Sequence, residues 1–181
     1  NNMLNLESCK AISSGLLFAV SLKKLSLKNN KLTNESSNVL FDGIIEVATN
    51  GPAKISGLEE LYLDFNNISD DGLNSLISLN SNNGSGAFNG EIIVLNLKTL
   101  GLRGNQLTDD GINSLSKCHI GTEAILSNLE KLDCGENDGL THQSIVYFAN
   151  TLPLSTSLKH LDMSNIKLNL NAMQQISEGL V

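Results

Sequence analysis

Apolar residues recur along this chain in a compound pattern, a short alternating stretch followed by a longer helical one. Leu22, Leu25, Leu27 and Leu32 stand around Asn30 in the arrangement L-x-x-L-x-L-x-x-N-x-L. The pattern returns at Leu58, Leu61, Leu63, Asn66 and Ile68, and again at Leu97, Leu100, Leu102, Asn105 and Leu107. A fourth copy holds Leu129, Leu132, Cys134 and Asn137, with one extra residue before Leu140. A fifth holds Leu158, Leu161, Met163 and Leu168, with Ile166 where asparagine is expected. A truncated copy, Leu4, Leu6, Cys9 and Ala11, precedes them. The second leucines fall at 4, 25, 61, 100, 132 and 161, so the intervals are 21, 36, 39, 32 and 29. Repetition at such periods marks a solenoid built from stacked units.

Each position has a physical role. The alternating core, x-L-x-L-x, predicts a short strand whose leucines point inward and whose x residues face solvent. The asparagine falls where the chain leaves the strand, and its amide can both donate to and accept from backbone groups that the turn would orphan. Stacking predicts one strand per repeat in a parallel sheet and a ladder of asparagines along its edge. The remainder of each repeat returns as a helix. Ser69-Asp70-Asp71-Gly72 and Thr108-Asp109-Asp110-Gly111 read as helix starts, with Ser69 and Thr108 as N-caps and the acids on the first turn. Thr33, Thr141 and Asn169 take the same place elsewhere. A small residue follows (Ser36, Gly72, Gly111, Ser144 or Ala172), where a bulky one would hold the helix off the sheet.

The expected organisation is one domain over residues 1–181, with a truncated repeat at 1–21 and repeats starting near 22, 58, 97, 129 and 158. The 21-residue first interval leaves room only for a short outer turn at Ser13 to Val20. Asn50-Gly51-Pro52 breaks the chain after the first long helix. Residues 79–91 read as a flexible loop. Neither end shows a polar capping repeat, the chain starting within a strand and ending in a helix at Gly179-Leu180-Val181, which suggests part of a longer protein.

Composition sharpens this picture. There are 32 Leu and 24 Asn against 5 Phe, 2 Tyr and no Trp, so the core must be built from aliphatics of nearly one size. The net charge is −7 and the basic residues form no block longer than Lys23-Lys24, which argues against nucleic acid and against an acidic membrane surface. No apolar run approaches the ~20 residues of a membrane span, and no signal peptide is visible. Cys9, Cys118 and Cys134 are odd in number and irregular in spacing, so they read as small buried residues of a reducing, intracellular compartment.

At these repeat residues the chain resembles the ribonuclease-inhibitor-like class of leucine-rich-repeat proteins, in which cysteine is the alternative to asparagine at the ninth position. The resemblance covers nearly the whole chain. The intervals of 29 and 32 fit the class, and 36 and 39 require insertions. It implies an α/β leucine-rich-repeat solenoid, a horseshoe with a parallel concave sheet and outer α-helices. It also implies a protein partner bound on the concave face, no enzyme activity and no cofactor. A eukaryotic intracellular scaffold and a bacterial effector secreted into a host cell are both within the class. A regulator resembling the Ran GTPase-activating members is the alternative. A monomer is expected unless the uncapped ends associate.

The register lists the concave face: Met3, Asn5, Glu7; Lys24, Ser26, Lys28; Glu60, Tyr62, Asp64; Thr99, Gly101, Arg103; Lys131, Asp133, Gly135; His160, Asp162, Ser164. Ser8, Asn29, Phe65, Gly104, Glu136 and Asn165 come next along it. Tyr62 and Phe65 are its aromatics, and Arg103 lies one strand from Asp64. Gly101 and Gly104 beside them would clear a shallow pocket. Tyrosine and arginine anchor interfaces, so the expected partner-binding patch is Tyr62, Asp64, Phe65 and Arg103, extended by Glu60, Asp133, His160 and Asp162. The bland alternative is that Phe65 turns inward and Arg103 merely pairs with its neighbour. His160, Asp162 and Asp133 could form a metal or acid–base cluster, but with one histidine and no nucleophile a polar rim fits better. His119 and His142 read as solvated helix-edge residues. The Asp-Asp-Gly runs lack EF-hand spacing and are explained by capping. The sequons at Asn34, Asn67 and Asn83 are of the number chance supplies, and no P-loop, G-x-S-x-G, H-E-x-x-H or C-x-x-C occurs.

Overall fold

The computed structural model describes residues 3–50, 57–81, 87–88, 91–120 and 124–166. In chain order the elements are α1 (Leu6–Leu16), β1 (Lys24–Ser26), α2 (Asn34–Asn50), β2 (Glu60–Tyr62), α3 (Asn74–Ser81), β3 (Ala87–Phe88), β4 (Glu91–Ile92), β5 (Thr99–Gly101), α4 (Asp109–Leu115), β6 (Lys131–Asp133), α5 (His142–Thr151) and β7 (His160–Asp162). The expected sites at Gly51-Pro52, Asn83, Leu168, Asn169, Ala172 and 179–181 lie outside the described residues.

β1, β2, β5, β6 and β7 form one parallel sheet in that order. The register follows the leucine pattern. Leu25, Leu61, Leu100, Leu132 and Leu161 pair across the sheet, flanked by the rows Lys24, Glu60, Thr99, Lys131, His160 and Ser26, Tyr62, Gly101, Asp133, Asp162. A one-residue slip would move every leucine to solvent, which is why the register is so firmly specified. Leu61, Leu63, Leu100, Leu102, Leu132 and Cys134 are wholly buried, as are Ile68, Leu107 and Leu140 beyond the turn.

Asparagine stitches the turns together. The Asn66 Oδ1 accepts from the backbone N–H groups of Asn30 (2.9 Å) and Leu32 (3.0 Å), while its Nδ2 donates to the Leu27 and Leu63 carbonyls at 3.1 and 2.8 Å. Asn137 does the same one step along, accepting from Asn105 (3.1 Å) and Leu107 (3.0 Å) and donating to Leu102 and Cys134. Asn105 bridges the repeats between them through Ile68 and Leu63. The residue before each ladder position adopts positive φ: Asn29, Phe65, Gly104, Glu136 and Asn165, at 54–62°.

A second ladder runs along the helix starts. The Asn34 Oδ1 accepts from Ser69 N–H (2.8 Å), Asp70 from the Thr108 N–H and hydroxyl (2.9 and 2.5 Å), and Asp109 from those of Thr141 (2.9 and 2.6 Å). The first acid of each pair therefore binds the cap residue of the next repeat. Thr108 and Thr141 cap their own helices, whereas Ser69 makes no side-chain cap bond and its repeat opens with a 3₁₀ turn at Asp70–Leu73. The small residue at Gly111 is needed for the same reason, since a Cβ there would overlap the Asp70 carboxylate.

Four expectations are corrected. Residues 6–16 form a helix, not a strand and short turn. Asn5 caps it by accepting from Ser8 N–H at 2.9 Å, and Cys9 and Leu16 bury one face against the core. Cys9 is thus a helix residue rather than a rung of the ladder, and Met3, Asn5 and Glu7 lie off the sheet. A run as short as Leu4 to Ala11 satisfies both periods, and packing against α2 selects the helical one. Second, α3 extends to Ser81, and β3 and β4 pair antiparallel within the stretch expected to be a loop. Third, His119 is buried at 1% exposure and stacks on Phe148, with centroids 5.9 Å apart and rings 10° from parallel. The helix it follows, α4, ends at Leu115, so His119 lies beneath α5 rather than on an exposed edge. The fourth correction concerns the glycines of the strand face.

Candidate functional site

The strand face is built from rows of x residues, each row contributed by all five strands. Tyr62 stands half-buried on β2. Its hydroxyl donates to Glu60 Oε2 at 2.8 Å, and the ammonium groups of Lys24 and Lys28 sit 4.7 and 4.5 Å from its ring centroid. Each lysine is itself paired, Lys24 with Glu60 at 2.8 Å and Lys28 with Asp64 at 3.0 Å. The lysine salt bridge and the tyrosine hydrogen bond hold the Glu60 carboxyl below its ordinary range, while burial and Glu60 push the Tyr62 hydroxyl up. The ring is therefore held in place by cation–π contacts on top of its packing.

Asp64 follows at 1% exposure, its Oδ1 accepting from the Arg103 N–H at 3.2 Å. Phe65 comes next, 42% exposed at φ 55°. Gly101 and Gly104 do not clear a pocket. A Cβ at Gly101 would lie 2.7 and 2.8 Å from the Asp64 carboxylate oxygens, and one at Gly104 would overlap the Phe65 ring. Each glycine is the space into which the preceding repeat's side chain fits.

Arg103 divides the expected patch. Its backbone bonds Asp64, but its guanidinium runs the other way across Gly135. Nη2 donates to Glu136 at 2.8 Å, and Nη1 reaches Ser164 Oγ at 2.9 Å and Asp133 and Asp162 at 3.4 Å each. The structure thus groups Glu60, Tyr62, Asp64 and Phe65 with Lys24 and Lys28, and separately groups Arg103 with Asp133, Glu136, Asp162 and Ser164. His160 lies at the far end of its row, on β7. The Asp162 carboxyl is held below its usual range chiefly by the Ser164 N–H, with Arg103 adding to the effect. Among the described residues, no group of three His, Cys, Asp or Glu is placed to hold a metal.

One feature of this face lies in residues not singled out from the sequence. The position before each strand reads Lys23, Glu59, Lys98, Glu130, Lys159. Glu59 bridges Lys23 (2.9 Å) and Lys98 (2.7 Å), and Glu130 pairs with Lys159 at 2.8 Å. Both lysines lower the Glu59 carboxyl, Lys98 most, to about 2. The sign alternation at a fixed repeat position was the signal available in the sequence.

Five parallel strands on an asparagine ladder, backed by helices and offering one free face of mixed charge and aromatics, define an α/β leucine-rich-repeat solenoid. The family described as Leucine Rich repeat matches residues 58–76 and 95–116. The tropomodulin C-terminal domain of Caenorhabditis elegans is similar in structure, with a TM-score of 0.61 at 17% identity, over 98% of this chain and 92% of that one. The domain titled leiomodin-1 actin-binding site 2 gives a TM-score of 0.45 at 13% identity, over 99% of this chain and 74% of that one. No curated protein matches the sequence. Among the described residues no helix is long and apolar enough to cross a membrane.

Proposed function

We propose that this chain is a protein-interaction module that binds a partner on its strand face, with Tyr62 and Phe65 as the anchors. The observation that carries this reading is Phe65. A bulky L-residue in the left-handed region costs ~1–2 kcal/mol, and strain of that kind concentrates at functional sites. At the same position three other repeats place Asn29, Gly104 and Asn165, residues for which this conformation is cheap, and one places Glu136, whose carboxylate pairs with Arg103. Phe65 keeps an aromatic ring there, and the ring is substantially exposed. Tyr62 beside it is ordered before any partner arrives, so little side-chain entropy is lost on binding. Glu60 and Asp64 support these anchors by fixing the two lysines. Arg103, Asp133, His160 and Asp162 form the second half of the footprint, a charged rim that sets orientation more than affinity.

The helix-backed repeats of 29 and 32 residues favour the ribonuclease-inhibitor-like form of the repeat. Affinity capture with the immobilised chain, compared with Tyr62→Ala and Phe65→Asn variants, tests the proposal. Partners recovered by the parent should fall at least about tenfold with either variant, as for interface hot spots. Equal recovery by all three chains would remove the patch.

A further inference from the structure

The Phe65 patch continues over the turn edge of the sheet into a depression of about 400 Å³ lined by Met3, Asn29, Asn30, Lys31 and Phe65. Met3 is 82% exposed and Phe65 42%, so its walls carry apolar surface. Lys31 is exposed, and among the described residues no carboxylate pairs with it. It shares that state with Lys131 among the strand-face cations, whereas Lys23, Lys24, Lys28, Lys98, Arg103 and Lys159 are all paired.

The backbone donors of Asn29, Asn30 and Leu32 are already engaged. Asn29 N–H donates to the Asp64 carbonyl at 3.0 Å, and those of Asn30 and Leu32 to Asn66 Oδ1. A free C-terminal carboxylate is normally captured by several backbone N–H groups, and three of this turn's donors are spent within the fold, two on Asn66 and one on the Asp64 carbonyl. What it offers is one exposed ammonium beside two apolar side chains.

From this geometry we infer that the depression takes a partner segment presenting a bulky apolar side chain next to an Asp or Glu side chain, the apolar group against Phe65 and Met3 and the carboxylate on Lys31. This rests on the reading of Phe65 as an anchor and adds the chemistry of what it anchors.

A random dodecapeptide library displayed on phage, selected against the whole chain, tests it. Enriched peptides should pair an apolar residue with an acid. Resynthesised with amidated C-termini and measured by fluorescence anisotropy, they should keep their affinity. They should lose about tenfold against Lys31→Glu, as expected for reversing one partly exposed charge pair. Lys31→Gln should lose less. Changing the peptide's acid to lysine should restore binding to Lys31→Glu, a rescue that a merely structural role of Lys31 would not produce. Lys31 is exposed at φ 58°, a conformation Glu136 also adopts, so the variant is expected to fold, and its thermal melt verifies this.

Peptides that need Phe65 but ignore Lys31→Glu would overturn the acidic specificity and leave the anchor standing. Peptides indifferent to both Lys31→Glu and Phe65→Asn would overturn both. Loss of binding on amidation would point to a C-terminal ligand and overturn the inference. So would a selection that yields no binder, with the anchor then judged by protein capture alone.

Discussion

Phe65 sets two terms of similar size against each other. Its left-handed backbone costs ~1–2 kcal/mol. Packing a partly covered ring on Gly104 returns about 1 kcal/mol, well below the value for a fully buried phenylalanine. Phe65→Asn should therefore change stability by less than about 1 kcal/mol in urea denaturation, although it deletes an aromatic side chain. A loss of about 3 kcal/mol or more would show the ring to be core, and the argument from strain would fail. His119 presents the opposite case, a titratable ring inside the fold. Both its nitrogens are buried without a hydrogen-bond partner among the described residues. Burial holds its pKa below the ordinary 6.5, so the unfolded chain takes up the proton first. Its contribution is thus intact above about pH 6.5 and is lost as pH falls toward the depressed folded value. Chemical denaturation between pH 7 and 5 should show the parent weakening while His119→Phe stays flatter. Parallel curves would mean that His119 finds a partner on protonation.

At the scale of elements, the turns and the sheet edge are held differently. Asn137 closes one step of the ladder from a fully buried site, and its removal orphans the N–H groups of Asn105 and Leu107 and the carbonyls of Leu102 and Cys134. A buried donor left unpaired costs ~1–3 kcal/mol, so Asn137→Ala should destabilise by about 3 kcal/mol or more in equilibrium unfolding. A loss under about 1 kcal/mol would mean that water replaces the amide. The charged row is exposed and weaker. Glu59 has its folded pKa lowered to about 2 from 4.5, so its contribution is complete above about pH 4.5 and disappears as pH falls through about 2. The stability gap between the parent and Glu59→Gln should accordingly close at high salt and at strongly acid pH. A gap that persists in both conditions would assign it to packing.

At the scale of the molecule, the strand rows are balanced in charge. The strand rows from Lys23 to Asn165 carry seven basic and seven acidic residues. The remaining five basic and twelve acidic residues of the sequence account for the net charge of −7. The strand rows are thus locally neutral, so the rows themselves repel a partner of neither charge. Stability should also vary along the solenoid, because each repeat is held by its neighbours. The central leucines Leu61, Leu100 and Leu132 are fully buried, whereas Leu25 and Leu161 in the outer strands are only partly so. Amide exchange should be slowest in β2, β5 and β6 and faster in β1 and β7. Uniform protection over all five strands would show a single cooperative unit instead.

The leucine spacing by itself determined the repeat, the parallel sheet, the register of its rows and the asparagine ladder. These follow from side-chain periodicity and from the need to pair backbone groups at fixed turns, both of which are written locally. The identity of the strand-face residues was legible for the same reason on the five paired strands, though not at Met3, Asn5 and Glu7, which lie off the sheet. Where those residues point was not. Asp64 fills the gap at Gly101, Phe65 the gap at Gly104, and Arg103 turns from Asp64 toward Glu136 and Ser164, because long side chains choose among neighbours that only stacking supplies. The spacing of Leu4 to Ala11 predicts a truncated strand copy, and the surface offered by α2 makes the segment a helix instead. His119 lay buried rather than solvated because Phe148 of the next repeat covers it. The depression at Lys31 and Phe65 exists only once two turns and Met3 are brought together, so the tertiary structure alone decided that it is there.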